Sequence, residues 1–154
     1  MSKKKYRPLI ILIFILYILV LLYILLLKGN IADSPQDFTV ASQGIFRLPS
    51  NYNLTPFKTI MIFVNDIRAT NSLYSYLNLF GNIVLLIPFG FFVPLLTKRK
   101  KTFFLTFLTG TLFILLIEFI QLITIWGIFD IDDYLLNILG VLIGWTGQRI
   151  IVRR

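Results

Sequence analysis

Apolar residues dominate the chain in four long runs, residues 8–27, 73–96, 102–126 and 134–152, separated by short polar or basic stretches. Each run holds the roughly 20 residues that a helix needs to cross a hydrocarbon core of about 30 Å, so the pattern predicts four transmembrane helices. A fifth, shorter apolar run, IMIFV, lies inside PFKTIMIFVNDIR (residues 56–68) of the long connection 28–72. It is too short to span and long enough for an interfacial or re-entrant helix, with Pro56 suited to its first turn. A short strand at residues 38–40 is a weaker expectation. The fold class expected is therefore an all-α membrane protein, one domain over residues 1–154, with four spans and one extra helix in the loop.

The apolar content is 57% and the charged content only 14%, against about a quarter charged in soluble domains. The first run follows MSKKKYR like a secretory signal, but its core exceeds the roughly 7–15 residues of a signal sequence and KGNIADS has no small-residue cleavage pattern. A retained anchor is expected. The net charge of +8 does not mark a nucleic-acid binder, because the basic residues gather at the ends of apolar runs. Lys3, Lys4, Lys5 and Arg7, then Lys98 to Lys101, then Arg149, Arg153 and Arg154 fall on one side of a four-span topology. By the positive-inside rule that side is the cytoplasm, and both termini lie there. The opposite side carries Lys28, Arg47, Lys58 and Arg68 with the seven acids Asp33, Asp37, Asp66, Glu118, Asp130, Asp132 and Asp133.

With no cysteine and no histidine, thiol nucleophiles, disulfides, imidazole catalysis and Cys/His zinc sites drop out. What remains is a small set of polar side chains inside the spans. Asn78 and Asn82 stand about 40° apart around the second span, and Glu118 and Gln121 about 60° apart on the third. Asp133, Asn137, Gly140 and Gly144 share one stripe of the fourth. At about 1.5 Å per residue, Asn82 lies roughly 12 Å below Tyr74, Glu118 roughly 12 Å below Trp126 and Asn137 roughly 6 Å below Asp133. These depths predict one polar site in the outer half of the bilayer, open outward, with Asn82, Asn137 and Gln121 as partners of Glu118. Asn78, Gly140 and Gly144 also fit a purely structural role as interhelical glue. Glu118 with Asp130 and Asp133 does not, because amides would serve as glue without the ionic cost.

Pro88 frees a backbone carbonyl and can kink its helix, whereas Pro94 stands where a helix ends. Tyr74, Tyr76, Trp126 and Tyr134 fit an interfacial aromatic belt. The three aspartates of FDIDD exceed what capping one helix needs. A calcium or magnesium site is a weaker alternative, since no Gly-anchored ligand loop accompanies them. A cationic or hydroxyl-rich ligand is preferred, and no metal or cofactor is assigned.

The run NLFGNIVLLIPFGFFVPLL (residues 78–96), then IEFIQL (117–122), then FDIDDYLLNILGVLIGW (129–145), with NLTPFKTI (53–60) before them, resembles the VanZ-like family of bacterial membrane proteins. The resemblance marks Asn78, Asn82, Pro88, Gly90, Glu118, Gln121, Asp130, Asp132, Asp133, Asn137 and Gly140. It implies a bacterial plasma-membrane protein acting at the cell envelope, linked to low-level teicoplanin (glycopeptide) resistance, with a cell-wall precursor or the glycopeptide as ligand. One departure stands out: family members often carry an arginine shortly before FDxDD, where this chain has Trp126, Gly127 and Ile128. Arg47, Lys58 or Arg68 would then have to balance the acids. The expected function is ligand binding at an acidic and amide site made of Asn78, Asn82, Glu118, Gln121, Asp130, Asp132, Asp133 and Asn137. The alternative is a membrane enzyme using Glu118 with Asp130 or Asp133 as an acid/base pair on a lipid-linked substrate. A transporter is disfavoured, because the inner half has no comparable ionisable residues and no inverted repeat is visible. Membrane lipid is the expected surrounding partner, and a homo-oligomer would complete a pocket that four short helices enclose poorly.

Overall fold

The computed structural model describes residues 6–31, 52–97, 102–124 and 129–152. They form five helices: α1 (Arg7–Ile31), α2 (Lys58–Thr70), α3 (Leu73–Leu96), α4 (Phe103–Thr124) and α5 (Ile131–Ile151). A two-residue strand β1 (Tyr52–Asn53) pairs in parallel with β2 (Phe129–Asp130), Asn53 opposite Asp130. Helices α1, α3, α4 and α5 are each long and apolar enough to cross a membrane, as the four hydrophobic runs predict. α1 continues to Ile31, four residues past the predicted first span, and two further boundaries differ in ways that bear on the site. α5 begins three residues before the predicted fourth span, which brings Asp132 and Asp133 into its first turn. α2 begins after Pro56, with Phe57 as its N-cap, so the proline precedes the helix instead of opening it. The expected strand at 38–40, the basic clusters 3–5, 98–101 and 153–154, and Asp33, Asp37, Arg47 and Trp126 lie outside the described residues.

The centre of the molecule is the contact between α3 and α5. A Cβ added at Gly140 would come within 2.1 Å of the Ile83 carbonyl oxygen, one at Gly144 within 1.9 Å of that of Ile87, and one at Gly90 within 1.9 Å of that of Val141. The two backbones touch where no side chain fits. Positions 83 and 87 meet 140 and 144 in the same order, so α3 and α5 run parallel, and in this register the first turn of α5 lies beside the first two turns of α3. Small residues at four-residue spacing are a recurrent way for helices to approach within a bilayer, where lipid supplies no hydrophobic drive between them.

α4 packs across both helices and sets Gly110 against Val141, and a core of Leu86, Phe89, Ile114, Ile117, Ile138 and Val141 fills the junction. α1 closes one side through Leu21 and Leu25, 1% and 5% exposed, while most of its remaining apolar surface stays outside the core. Within α1, Tyr17 donates its hydroxyl to the Leu85 carbonyl at 2.6 Å. That bond falls beside Pro88, which cannot donate to Val84 and so leaves the α3 backbone short of one hydrogen bond in this turn. α3 continues through Pro88 and ends two residues after Pro94. Tyr74 and Tyr76 are exposed as belt residues would be, but Tyr134 is half-buried against the core, with its hydroxyl 3.3 Å from that of Thr111.

The glycine contact generates a direct expectation. Gly140→Ala and Gly144→Ala should each destabilise the bundle by about 1–3 kcal/mol or more through overpacking. Gly147→Ala, whose Cβ would meet nothing within 4 Å, should be neutral or slightly stabilising. Unfolding of the purified protein in micelles compares the three.

Candidate functional site

α2 needs an acceptor at its start, because the first backbone N–H groups of any helix have no partner within it. Its N-cap is Phe57, which has no side-chain oxygen to offer, and no side-chain cap bond is made there. Asp132 of α5 supplies the missing acceptor. Its carboxylate receives N–H bonds from Phe57 at 2.6 Å, Thr59 at 2.8 Å and Ile60 at 3.1 Å, and the residue is completely buried. Phe57 reaches this bond with φ 65° and ψ 1°, a left-handed conformation that costs an ordinary L-residue about 1–2 kcal/mol.

Asp130 works beside it. As N-cap of α5 it accepts the Asp132 N–H at 2.8 Å, and it also accepts the Thr59 hydroxyl at 2.6 Å and the Asn53 amide at 3.2 Å. Asn53 also donates to Thr59 Oγ1 at 3.0 Å and accepts the Thr55 N–H at 3.2 Å, closing the turn that leads into α2. The NLTPFKTI and FDIDD motifs are thus two halves of one latch. Asn53 and Thr59 are the residues that sequence reasoning passed over, although both lie in a motif it had quoted.

Among the described residues neither Lys58 nor Arg68 pairs with a carboxylate. The negative charges of Asp130 and Asp132 instead sit where the N-termini of α2 and α5 converge, each with the positive end of its helix dipole and its unpaired N–H groups.

The other polar residues divide by neighbour. Glu118, 3% exposed, accepts the Asp130 N–H at 3.3 Å, which places it beside the start of α5 and not beneath it. Gln121 does not join Glu118; it donates to the Leu25 carbonyl at 3.0 Å and ties α4 to α1. Asn78 donates to the Tyr74 carbonyl of its own helix at 2.9 Å. Asn82, 1% exposed, donates to Asp133 at 2.5 Å across the α3–α5 contact. Asn137 lies one turn further along α5, 4% exposed, and its side-chain oxygen has no donor among the described residues. It is not a partner of Glu118, contrary to expectation. Asp133, Asn82 and Asn137 therefore form a second, deeper polar group behind the latch.

α2 is fastened at its other end as well. Asp66 accepts the hydroxyls of Ser75, in the first turn of α3, and of Thr70. The bonds from Ser75, Ser72 and Thr70 hold its carboxyl below the usual aspartate range. The helix thus bridges the starts of α3 and α5.

Two outcomes are expected. Asp132→Ala leaves three part-buried N–H groups without their acceptor and should destabilise the protein by about 2–4 kcal/mol, with faster hydrogen exchange at Phe57, Thr59 and Ile60. The Asp66 carboxyl, depressed in the folded state, adds stability above its unfolded pKa of about 4 that is lost as pH falls through the lower folded value. A pH titration of unfolding should show that loss in the wild type and lack it in Asp66→Asn.

Against known proteins, a family model described as VanZ/LLP1 matches residues 14–152. No curated protein and no solved structure matches the chain. The match takes in α3, α4 and α5, the NLTPFKTI turn and the aspartates, which together make the latch and the polar group behind it. The chain belongs to the VanZ/LLP1 family and is a multi-pass membrane protein.

Proposed function

We propose that this protein sits in a bacterial plasma membrane with both termini in the cytoplasm, and that the polar group behind the latch binds a cell-envelope ligand from outside. Such binding would contribute to resistance against teicoplanin-type glycopeptides. The basic clusters at 3–7, 98–101 and 149–154 support the orientation, which puts α2 and the starts of α3 and α5 at the outer surface. The interior faces of α3 and α5 hold the site, membrane lipid surrounds the outer faces, and a second copy is a candidate for the side that α1 leaves uncovered.

The observation that carries the reading is the Asn137 carbonyl oxygen. A buried acceptor without a donor costs about 1–3 kcal/mol, a loss that a purely structural amide would not need to sustain. It calls for a donor: a hydroxyl, an amide N–H or an ammonium, all of which cell-wall precursors and glycopeptides carry. The enzyme alternative finds less support in the geometry. Asp130 is engaged by Thr59, Asn53 and the Asp132 N–H, which leaves it poorly placed to shuttle a proton for Glu118.

Asn137→Leu separates a binding role from a structural one. It replaces an unpaired amide by an apolar group of similar size, so the melting temperature of the purified protein should hold or rise. Teicoplanin susceptibility, in a strain where the wild type protects, should return to the level of cells without the protein. Unchanged protection with intact expression would refute the site.

A further inference from the structure

The outward face of α2 is not explained by packing. Phe57 holds a left-handed backbone for the sake of an N–H bond that any non-proline residue could make, and glycine would make it without strain. Its ring is 61% exposed, so the fold gains little from the aromatic side chain. Leu54 precedes it and Met61 follows one turn later on the same side, both more than half exposed. Lys58 and Arg68 flank this apolar stripe, exposed and, among the described residues, without an acidic partner.

Position supplies the rest. Two residues, Asn71 and Ser72, separate α2 from the membrane-spanning α3, and Asp132 and Ser75 fix the two ends of α2 to the first turns of two parallel spans. α2 must therefore run across those helix starts, at the level where hydrocarbon gives way to head groups, and it cannot descend into the bilayer. Apolar side chains at that level with lysine and arginine alongside have the composition of an interfacial helix, whose cations extend to the phosphates while the rings and thioether stay in the acyl boundary. Two of the nearby carboxylates, Asp130 and Asp132, are buried and turned onto a hydroxyl and amides, and Asp66 is held by the Ser75 and Thr70 hydroxyls.

We infer that α2 is a lipid-docking surface: Leu54, Phe57 and Met61 enter the acyl boundary of the leaflet at which α3 and α5 begin, and Lys58 and Arg68 bind the phosphates of anionic phospholipids there. This surface is separate from the Asn137 group, and its test does not depend on any ligand bound there.

The cysteine-free chain suits site-directed spin labelling. In the full protein in nanodiscs of phosphatidylglycerol and phosphatidylcholine, a nitroxide on Met61→Cys should collide more with oxygen than with an aqueous nickel complex. A label on Ala69→Cys, exposed and about 80° further round the helix, should show the reverse. In native mass spectrometry the wild type should retain phosphatidylglycerol over phosphatidylcholine by severalfold, and Lys58→Gln with Arg68→Gln should bring that ratio near one. Both substituted residues are exposed, and an unchanged melting temperature shows that the double variant is folded. Equal nickel access at positions 61 and 69, or a lipid ratio untouched by the double variant, overturns the inference. Dipolar broadening between labels at Met61 would assign this face to a second copy and overturn it too.

Discussion

One carboxylate organises the end of this protein at which α3 and α5 begin. Asp132 takes three N–H groups from a helix to which it does not belong, and so α2, the β1–β2 pairing and the start of α5 form one body. The arrangement follows from a deficit: a helix whose N-cap is phenylalanine must find its acceptor elsewhere, and in a nearly dry setting it cannot rely on water. Asp130 then binds the Thr59 and Asn53 side chains that hold the same turn. The acidity that looks excessive along the sequence is, for two of the three aspartates, the counterpart of two converging helix N-termini.

The glycine-to-backbone contact between α3 and α5 determines how deep that body can sit. Gly140 and Gly144 bring Ile83 and Ile87 to the α5 backbone, and this register sets Asn82 within reach of Asp133. A bulkier pair would separate the helices and take the amide away from its carboxylate. The polar group that remains, with the undonated Asn137 oxygen at its base, is thus held by backbone contact on one side and by the latch on the other.

Much of this was legible in the sequence. Hydropathy predicted four spans, the spacing of Gly140 and Gly144 pointed to a close helix contact, and the polar residues in the spans were few enough to name. The pairings were less accessible. Rise per residue orders positions within one helix but carries no information on the offset between helices, so Glu118 was expected beneath the aspartates when it lies beside them. Gln121 shares a face with Glu118, but α4 stands between α1 and α5, and side chains about 60° apart there address different neighbours. Capping from a distant element leaves no local signature: Phe57 does not look like an N-cap, and its acceptor lies 75 residues away.

That separation has a consequence for how the molecule is made. α2 emerges during synthesis well before α5, so its first turn lacks an acceptor while α3 and α4 are being inserted. Neither the turn that leads into α2 nor the α3 glycine contact can form until the fourth span arrives, and a chain stopped short of Asp132 would leave α2 uncapped. Completion of the latch therefore requires every span, so the first turn of α2 is the last part of the fold to be satisfied.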